Sequence, residues 1–486
     1  MDSMKVCLVT SEAHPLAKTG GLGDVSSALA RQLHRRGHDV RLFLPLYSSI
    51  LDQSREMVPV EFLRDVPIAV GGRTVTFTAF TTPLPGSKLS IYLVHCPTLY
   101  DRPAIYTGDP DEHLRYAFLS RAAIESCQRM GWGPDIFHCN DWHTALIPLY
   151  LKSVYRWDSL FRATRSVLTL HNVGYQGVFP AHVLPDLGLA EHAHLLHQGD
   201  LRAGRVGFLK NGILHADALT TVSPTYAREI QTAEHGFGLH PELVSRRRSL
   251  VGILNGVDYD EWSPETDPLI PHRYSADRLE DKEKNKRALL EAAGLPYAPS
   301  RACLGVISRL THQKGLDLVI ETIPGLLGRL DLSLVALGAG ESRAEESFEG
   351  LSHAFPENVR FYRGHNHPLA HLVEAGADFF LMPSRYEPCG LNQMYSLRYG
   401  TVPVVRKTGG LADTVKLFDP ATGDGTGIVF EHFAPDALRW AIELGVSLFR
   451  DGEAWTRIRR NGMAQDFSWE RQIGQYESLY RRLAGP

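Results

Sequence analysis

Apolar residues along this chain fall into two alternating patterns. Short, nearly continuous apolar runs read as strands buried on both faces. Between them, apolar positions recur every three or four residues, the spacing of a helix with one buried side. Lys5–Thr10 (KVCLVT) is the first run. From Leu22 to Arg36, the residues Val25, Leu29 and Leu33 keep helical spacing, and Gly37 supplies a stop. Asp39–Pro45 returns as a strand, and others are expected at Ser90–His95, Asp135–His138, Ser166–Leu170 and Ala218–Val222. A second series runs Ala302–Ser308, Leu332–Leu337, Val359–Tyr362, Phe379–Met382 and Val402–Val405. Helices such as Glu280–Ala292, Gly315–Leu327 and Gln393–Tyr399 lie between them. This alternation predicts an α/β protein with parallel sheets covered by helices.

The two series are separated by an irregular stretch with Pro264, Pro268 and Pro271, so a boundary is placed near residues 255–265. A chain of 486 residues is too long for one ordinary core, and two domains of about 200 residues are expected. The predicted division is 1–256 and 257–467. The tail Ser468–Leu483 reads as an amphipathic helix with Trp469, Ile473, Tyr476 and Tyr480 on one stripe. It either caps the second domain or crosses back to the first.

Charge and cysteine content narrow the function classes. A formal charge of −4 without a basic arm or stripe argues against nucleic acid as the main partner, and Arg246–Arg248 reads as a solvated loop. Cys7, Cys96, Cys127, Cys139, Cys303 and Cys389 are scattered without paired or zinc-like spacing, which suits a reducing cytoplasm. No run approaches the ~18 apolar residues of a membrane span, and the segment MDSMKVCLVTSE lacks the apolar stretch of a secretory leader. His192, His194 and His197 lie close together, as do His365, His367 and His371. Neither group shows the carboxylate or thiol partners of a consistent ligand set, so no metal is expected.

The chemistry-bearing clusters stand where strands end. Lys18–Val25 (KTGGLGDV) joins the first strand to the first helix. Its glycines allow close backbone approach to a ligand at a helix N-terminus, or a plain tight turn. Ser308–Gly315 (SRLTHQKG) holds Arg309 and Lys314 in the corresponding place of the second half. Ser384–Gln393 (SRYEPCGLNQ) contains one carboxylate, Glu387, and Thr408–Asp413 (TGGLAD) is a second glycine-rich helix start. His138–His143 (HCNDWH) and His171–Gly177 (HNVGYQG) also follow strands. Open parallel sheets bind ligands at that edge, so a cleft between two such halves would gather these loops around one ligand.

Taken in order, the loops resemble those of the bacterial glycogen synthase and plant starch synthase family, glycosyltransferase family 5. KTGGLGDV, HNVGYQG, SRLTHQKGLD, PSRYEPCGLNQ and RKTGGLADTV carry the likeness, and the terminal DFSWE…YESLY agrees with it. The resemblance implies a GT-B fold, two Rossmann-like doubly wound domains facing a cleft. It implies transfer of glucose from ADP-glucose to the non-reducing 4-OH of an α-1,4-glucan, with retention at the anomeric carbon. No cofactor or metal is implied, the nucleotide sugar being a substrate. Arg309 and Lys314 match the diphosphate-binding pair and Glu387 the active-site glutamate, whose implied task is to hold glucose hydroxyls. His171 matches a histidine near the sugar 6-OH. The implied donor-binding positions are Lys18, Gly20, Gly21, Asp24, Asn255, His365, Cys389, Gly390, Leu391, Asn392, Thr408 and Gly409. The implied acceptor-binding positions are Tyr106, Asp141 and His143.

The chain departs from the family at two of these positions. Asn392 stands where most members have Thr. His365 stands where many bacterial members have an aromatic that stacks on the base, which leaves the choice of ADP-glucose over UDP-glucose open. Two other readings keep the fold: a different nucleotide-sugar enzyme such as an epimerase, and a non-catalytic nucleotide-sugar-binding protein. The latter predicts loss of Lys18, Lys314 or Glu387, and all three are present.

Overall fold

The computed structural model describes residues 3–53 and 55–485. They divide into two compact units. The first comprises the described residues up to Val222, Ala227–Gly256 and those from Trp469 onward. The second comprises Ser223–Tyr226 and Val257–Ser468. Ser223–Tyr226 thus depart from the division expected from sequence. Asp413 explains this, since its carboxylate accepts the Thr225 backbone N–H at 2.8 Å and the Thr225 hydroxyl at 2.6 Å.

The first unit is built on a 10-stranded sheet. Its parallel part runs, edge to edge, Leu250–Gly252, Ala218–Thr221, Arg165–Leu170, Ile136–Asn140, Lys5–Val9, Asp39–Pro45 and Ser90–His95. The chain winds outward from Lys5–Val9 in one direction, then restarts beside it at Ile136–Asn140 and winds the other way. The strand order therefore reverses between those two strands, which is where open α/β sheets bind ligands. An antiparallel edge follows: Arg73–Pro83 pairs with Ser90–His95, Val58–Pro59 and Val66–Val70. Val66–Val70 alternates buried and exposed positions as a half-covered strand should. Its sequence VPIAV is apolar throughout, which hides that alternation.

The second unit holds a 6-stranded parallel sheet in the order Val359–Arg363, Leu332–Gly340, Ala302–Leu310, Phe379–Met382, Val402–Arg406 and Ile428–Phe430. Its reversal lies between Ala302–Leu310 and Phe379–Met382. The first of these strands runs beyond the predicted end at Ser308, because Ser308, Arg309 and Leu310 pair with Gly338, Ala339 and Gly340. Lys314 then sits on a 3-10 turn, His312–Lys314, and not on the following α-helix. Gly315, at φ 63°, separates that turn from the helix Asp317–Leu327.

The tail forms the helix Trp469–Ala484 and packs within the first unit. Ile473, Tyr476 and Tyr480 are fully buried. His38 accepts the Met4 N–H at Nδ1 (3.1 Å) and donates from Nε2 to Glu477 on the tail (3.1 Å). His138 bonds the Tyr480 hydroxyl. The crossings into and out of the second unit lie side by side, with Val257 bridged to Ser468. This tail is part of the first core, so Ile473→Ala should destabilise that unit by about 2–5 kcal/mol. Urea unfolding of the full chain should show the loss as a transition at lower denaturant. An unchanged transition would mean the tail only lies against the surface.

Candidate functional site

At the reversal of the second sheet, Lys314 Nζ lies 2.7 Å from Glu387 Oε2. The Ser384 hydroxyl donates to the same oxygen at 2.9 Å. Glu387 is buried, so its charge needs that cation and that donor. The loop carrying it is fixed from both sides. Asn392 donates to the Ile307 carbonyl at 2.8 Å, tying the start of the helix Asn392–Arg398 to the central strand. Gln393 donates to the Cys389 and Gly390 carbonyls and to Thr414. Arg309 is half-buried at the end of its strand, and its guanidinium has no ion-pair partner among the described residues. It is a cation at the same edge whose charge no carboxylate offsets.

The TGGLAD glycines have a packing reason. Gly409 adopts φ +44°, and a Cβ there would fall 1.8 Å from the Glu387 carbonyl oxygen. The Gly410 N–H donates to that same oxygen at 3.0 Å. This pair of glycines lets the helix Gly409–Thr414 close against the loop of Glu387. The Gly410 N–H is therefore already taken by the protein's own backbone. Cys389 and Thr408 are buried in this contact region, while His365 is exposed beyond the strand Val359–Arg363. Gly390 and Leu391 complete the loop.

At the reversal of the first sheet, the organising group is Glu12. Its buried carboxylate accepts the Thr19 N–H (2.7 Å), the Thr19 hydroxyl (2.7 Å), the Gly20 N–H (3.0 Å) and the Tyr106 hydroxyl (2.7 Å). The glycine-rich loop does cradle an anion, but one of the protein's own. Lys18 pairs with Asp24 at 2.8 Å near the surface. Gly20 is extended, and a Cβ on it would meet nothing within 4 Å. Neither conformation nor internal packing calls for glycine there. Gly21 opens the helix Gly21–Arg35.

Beside Glu12 stands a second polar group. His171 donates from Nε2 to Asn140 Oδ1 at 2.9 Å. Asn140 is held the right way round because its amide nitrogen donates to the Val9 carbonyl at 3.1 Å. That fixes the tautomer and leaves His171 Nδ1 as an acceptor. Desolvation pushes the imidazole down to about 3, so it is neutral near pH 7. Asp141 Oδ1 accepts the His171 N–H (2.7 Å) and the Asn172 N–H (3.3 Å). Burial still outweighs those bonds and, with the Glu12 charge nearby, raises the Asp141 carboxyl to about 7. Asp141 also adopts φ +52°, an uncommon conformation for a side chain of its kind. His143 is buried, with its ring stacked 4.8 Å from that of Tyr106 and 4.1 Å from that of Trp142, and burial holds it neutral. Gly177, at φ +59°, faces Trp142 so closely that a Cβ would lie 2.2 Å from the ring.

The structure thus brings Arg309, Lys314, Glu387, Asn392 and Gly409 to one sheet edge, and Lys18, Gly20, Tyr106, Asp141, His143 and His171 to the other. Asn255 is buried near the end of the first unit, with its side-chain oxygen unpartnered. Sequence reasoning missed Glu12 and, though it flagged the cluster His138–His143, gave Asn140 no role. Glu12 ends the polar cluster Thr10–Glu12 that follows the first strand, and the rule that flagged the other loops would have reached it.

The family model for the starch synthase catalytic domain matches residues 5–245, and that for group 1 glycosyl transferases matches 295–463. Glycogen synthase 1 of Methylococcus capsulatus is 42% identical over 99% of this chain and 97% of its own length. The glycogen synthase of Thioalkalivibrio sulfidiphilus is 44% identical over 99% and 100%. Among solved structures, the catalytic domain of starch synthase IV from Arabidopsis thaliana, bound to ADP and acarbose, superposes with a TM-score of 0.92 at 34% identity. That match covers 99% of this chain and 100% of that one. With two doubly wound units and these loops in this order, the chain belongs to the glycogen synthase and starch synthase family of GT-B glycosyltransferases.

Proposed function

We propose that this chain extends an α-1,4-glucan by retaining transfer of glucose from ADP-glucose to its non-reducing 4-OH. The Lys314–Glu387 pair, 2.7 Å apart at the reversal of the second sheet, carries this reading. Glucosyl transfer from a nucleotide sugar separates charge. The bond from the anomeric carbon to the diphosphate breaks, negative charge builds on phosphate oxygens, and the sugar becomes cationic. A fixed lysine beside a fixed glutamate offers both signs before the reaction begins, so little reorganisation is needed. Arg309, with no carboxylate to neutralise it, supplies the second cation for the diphosphate. The acceptor oxygen then bonds the anomeric carbon on the face that the diphosphate leaves, and its proton passes to the departing phosphate oxygen. Glu387 is assigned no covalent role here: with its Oε2 held by Lys314 and Ser384, its part is to offset the charge of the cationic sugar.

On the first unit, His171 Nδ1 would accept a glucose hydroxyl, as its tautomer allows. Gly20 leaves room for a donor to approach the loop, and Lys18, Gly21 and Asp24 flank that approach. Tyr106 would meet a glucan with its ring backed by the buried His143, and its hydroxyl is committed to Glu12. Cys389–Asn392, Thr408 and Gly409 would shape the donor side, and His365 and Asn255 would meet the nucleotide. ADP and acarbose are ligands of the plant relative, and they support a nucleotide and an oligosaccharide here. Six buried cysteine thiols, none in a disulfide, accord with a cytoplasmic setting. Among the described residues no helix is long and apolar enough to cross a membrane.

Incubation with glycogen and either ADP-glucose or UDP-glucose should release nucleoside diphosphate and lengthen the glucan, faster with the adenine donor. No release with either donor would sink the proposal. Lys314→Ala and Glu387→Gln should each lower kcat at least about a hundredfold, the scale of losing one pre-organised charged group. A folded variant with near-normal kcat would remove that residue from the mechanism.

Asp141 adds a pH signature. Its carboxyl titrates near 7 when folded and near 3.8 in model compounds, so between those values the native state binds the extra proton. The stability it contributes is full below pH ~4 and is lost as pH rises through ~7. Asp141→Asn keeps the acceptor for the His171 and Asn172 N–H groups but cannot titrate. Urea midpoints measured from pH 5 to 8 should fall less steeply for this variant than for the parent. Parallel curves would show that Asp141 is ionised throughout.

A further inference from the structure

We propose that Glu261, His367 and His371 form a binding site for one divalent transition-metal cation of the Zn2+ class, lying wholly within the second unit. His367 and His371 stand four residues apart on the helix His367–Gly376, the spacing that puts two side chains on one face. Glu261 comes from far away in sequence. It sits on a turn closed by the Glu261 and Trp262 N–H groups bonding the Asp258 carbonyl at 3.3 and 2.9 Å. One ligand atom from each of the three residues lies within 4.8 Å of the others. His367 Nε2 and Glu261 Oε1 are 3.5 Å apart. Ligands of a tetrahedral zinc ion, each ~2.0–2.2 Å from the metal, lie roughly 3.4 Å from one another. The Glu261–His367 spacing already fits, and the third ligand needs a closure of about an ångström, within reach of a half-exposed His367 side chain.

His371 supplies the independent observation. It is 1% exposed, and its Nδ1–H donates to Asp267 Oδ2 at 2.7 Å. The Tyr399 hydroxyl donates to the same oxygen at 2.6 Å, so the carboxylate is itself held in place. Carboxylate, imidazole and metal in series is the usual way a protein orients a ligating histidine. The nitrogen left to ligate is Nε2, which is buried and has no hydrogen-bond partner among the described residues. A buried imidazole nitrogen with nothing to bond is costly, and a metal would satisfy it. The Trp262 ring stacks on His371 at 3.8 Å and on Tyr395 at 4.1 Å, walling the group from water. The bound ion would have three protein ligands and one open position. Its effect would be to fasten the Asp258–Trp262 turn to the helix His367–Gly376.

The test uses the full chain after chelator treatment and dialysis. Titration with Co2+ should give visible d–d absorption that saturates at one equivalent and is displaced by Zn2+. Zn2+ should also raise the thermal unfolding temperature. Glu261→Gln and His367→Ala alter exposed or half-exposed positions, so both should fold, with a parental far-UV circular dichroism spectrum. Each should weaken Co2+ binding at least tenfold and abolish the Zn2+-dependent thermal shift. Absence of a d–d band at several equivalents would overturn the site. So would an undiminished band in both variants, which would place the metal on other histidines such as His192 and His194.

Discussion

Where the strand order of a parallel sheet reverses, the loops leaving the two central strands diverge, and their polar groups have no neighbouring strand to bond. In each unit by itself, the arrangement of the candidate residues follows from how those groups are satisfied. The first unit uses an internal anion, Glu12, which gathers the Thr19 and Gly20 N–H groups and the Tyr106 hydroxyl. The second uses a cation, Lys314, set against a buried glutamate, and the Glu387 carbonyl takes the Gly410 N–H. Each solution holds its loop still without a ligand. Pre-organised loops are what electrostatic catalysis requires, because dipoles that must turn during the reaction give back much of what they offer.

The same constraint separates the two glycine-rich helix starts, which look alike in sequence. Gly409 is demanded by the protein itself, since its backbone is left-handed and meets the Glu387 carbonyl. Gly20 is demanded by nothing within the chain. A residue kept small without an internal reason points outward, to a ligand that comes close. TGGLAD is therefore a support for the loop of Glu387, whereas Gly20 of KTGGLGD has open space around it.

The parallel strands were legible because they are buried on both faces and need continuous apolar runs. The antiparallel edge was less so: Val66–Val70 is apolar at its exposed positions too, and its period of two vanishes. The placement of the loop motifs at strand ends, from Arg309 to Thr408, was also legible. What could not be read were pairings between distant positions. The Glu12–Tyr106 bond spans 94 residues and the Asp267–His371 bond 104. The histidines at 367 and 371 look partnerless in a local window because their carboxylates come from a turn and a loop more than a hundred positions earlier. Only the fold makes such a cluster a ligand set.

The distribution of charge gives the two units different tasks. In the first, His171 and His143 are neutral through burial, and Asp141 holds its proton to about pH 7. Beside the Glu12 carboxylate and the Lys18–Asp24 pair, that edge offers neutral hydrogen-bond donors and acceptors, which suit sugar hydroxyls because they need geometry. In the second, the side chains of Arg309, Lys314 and Glu387 stand at one sheet edge, a set that suits a diphosphate and the charge that develops as it leaves. The chemistry therefore rests less on the shared architecture of the two units than on which of their equivalent loops carries charge.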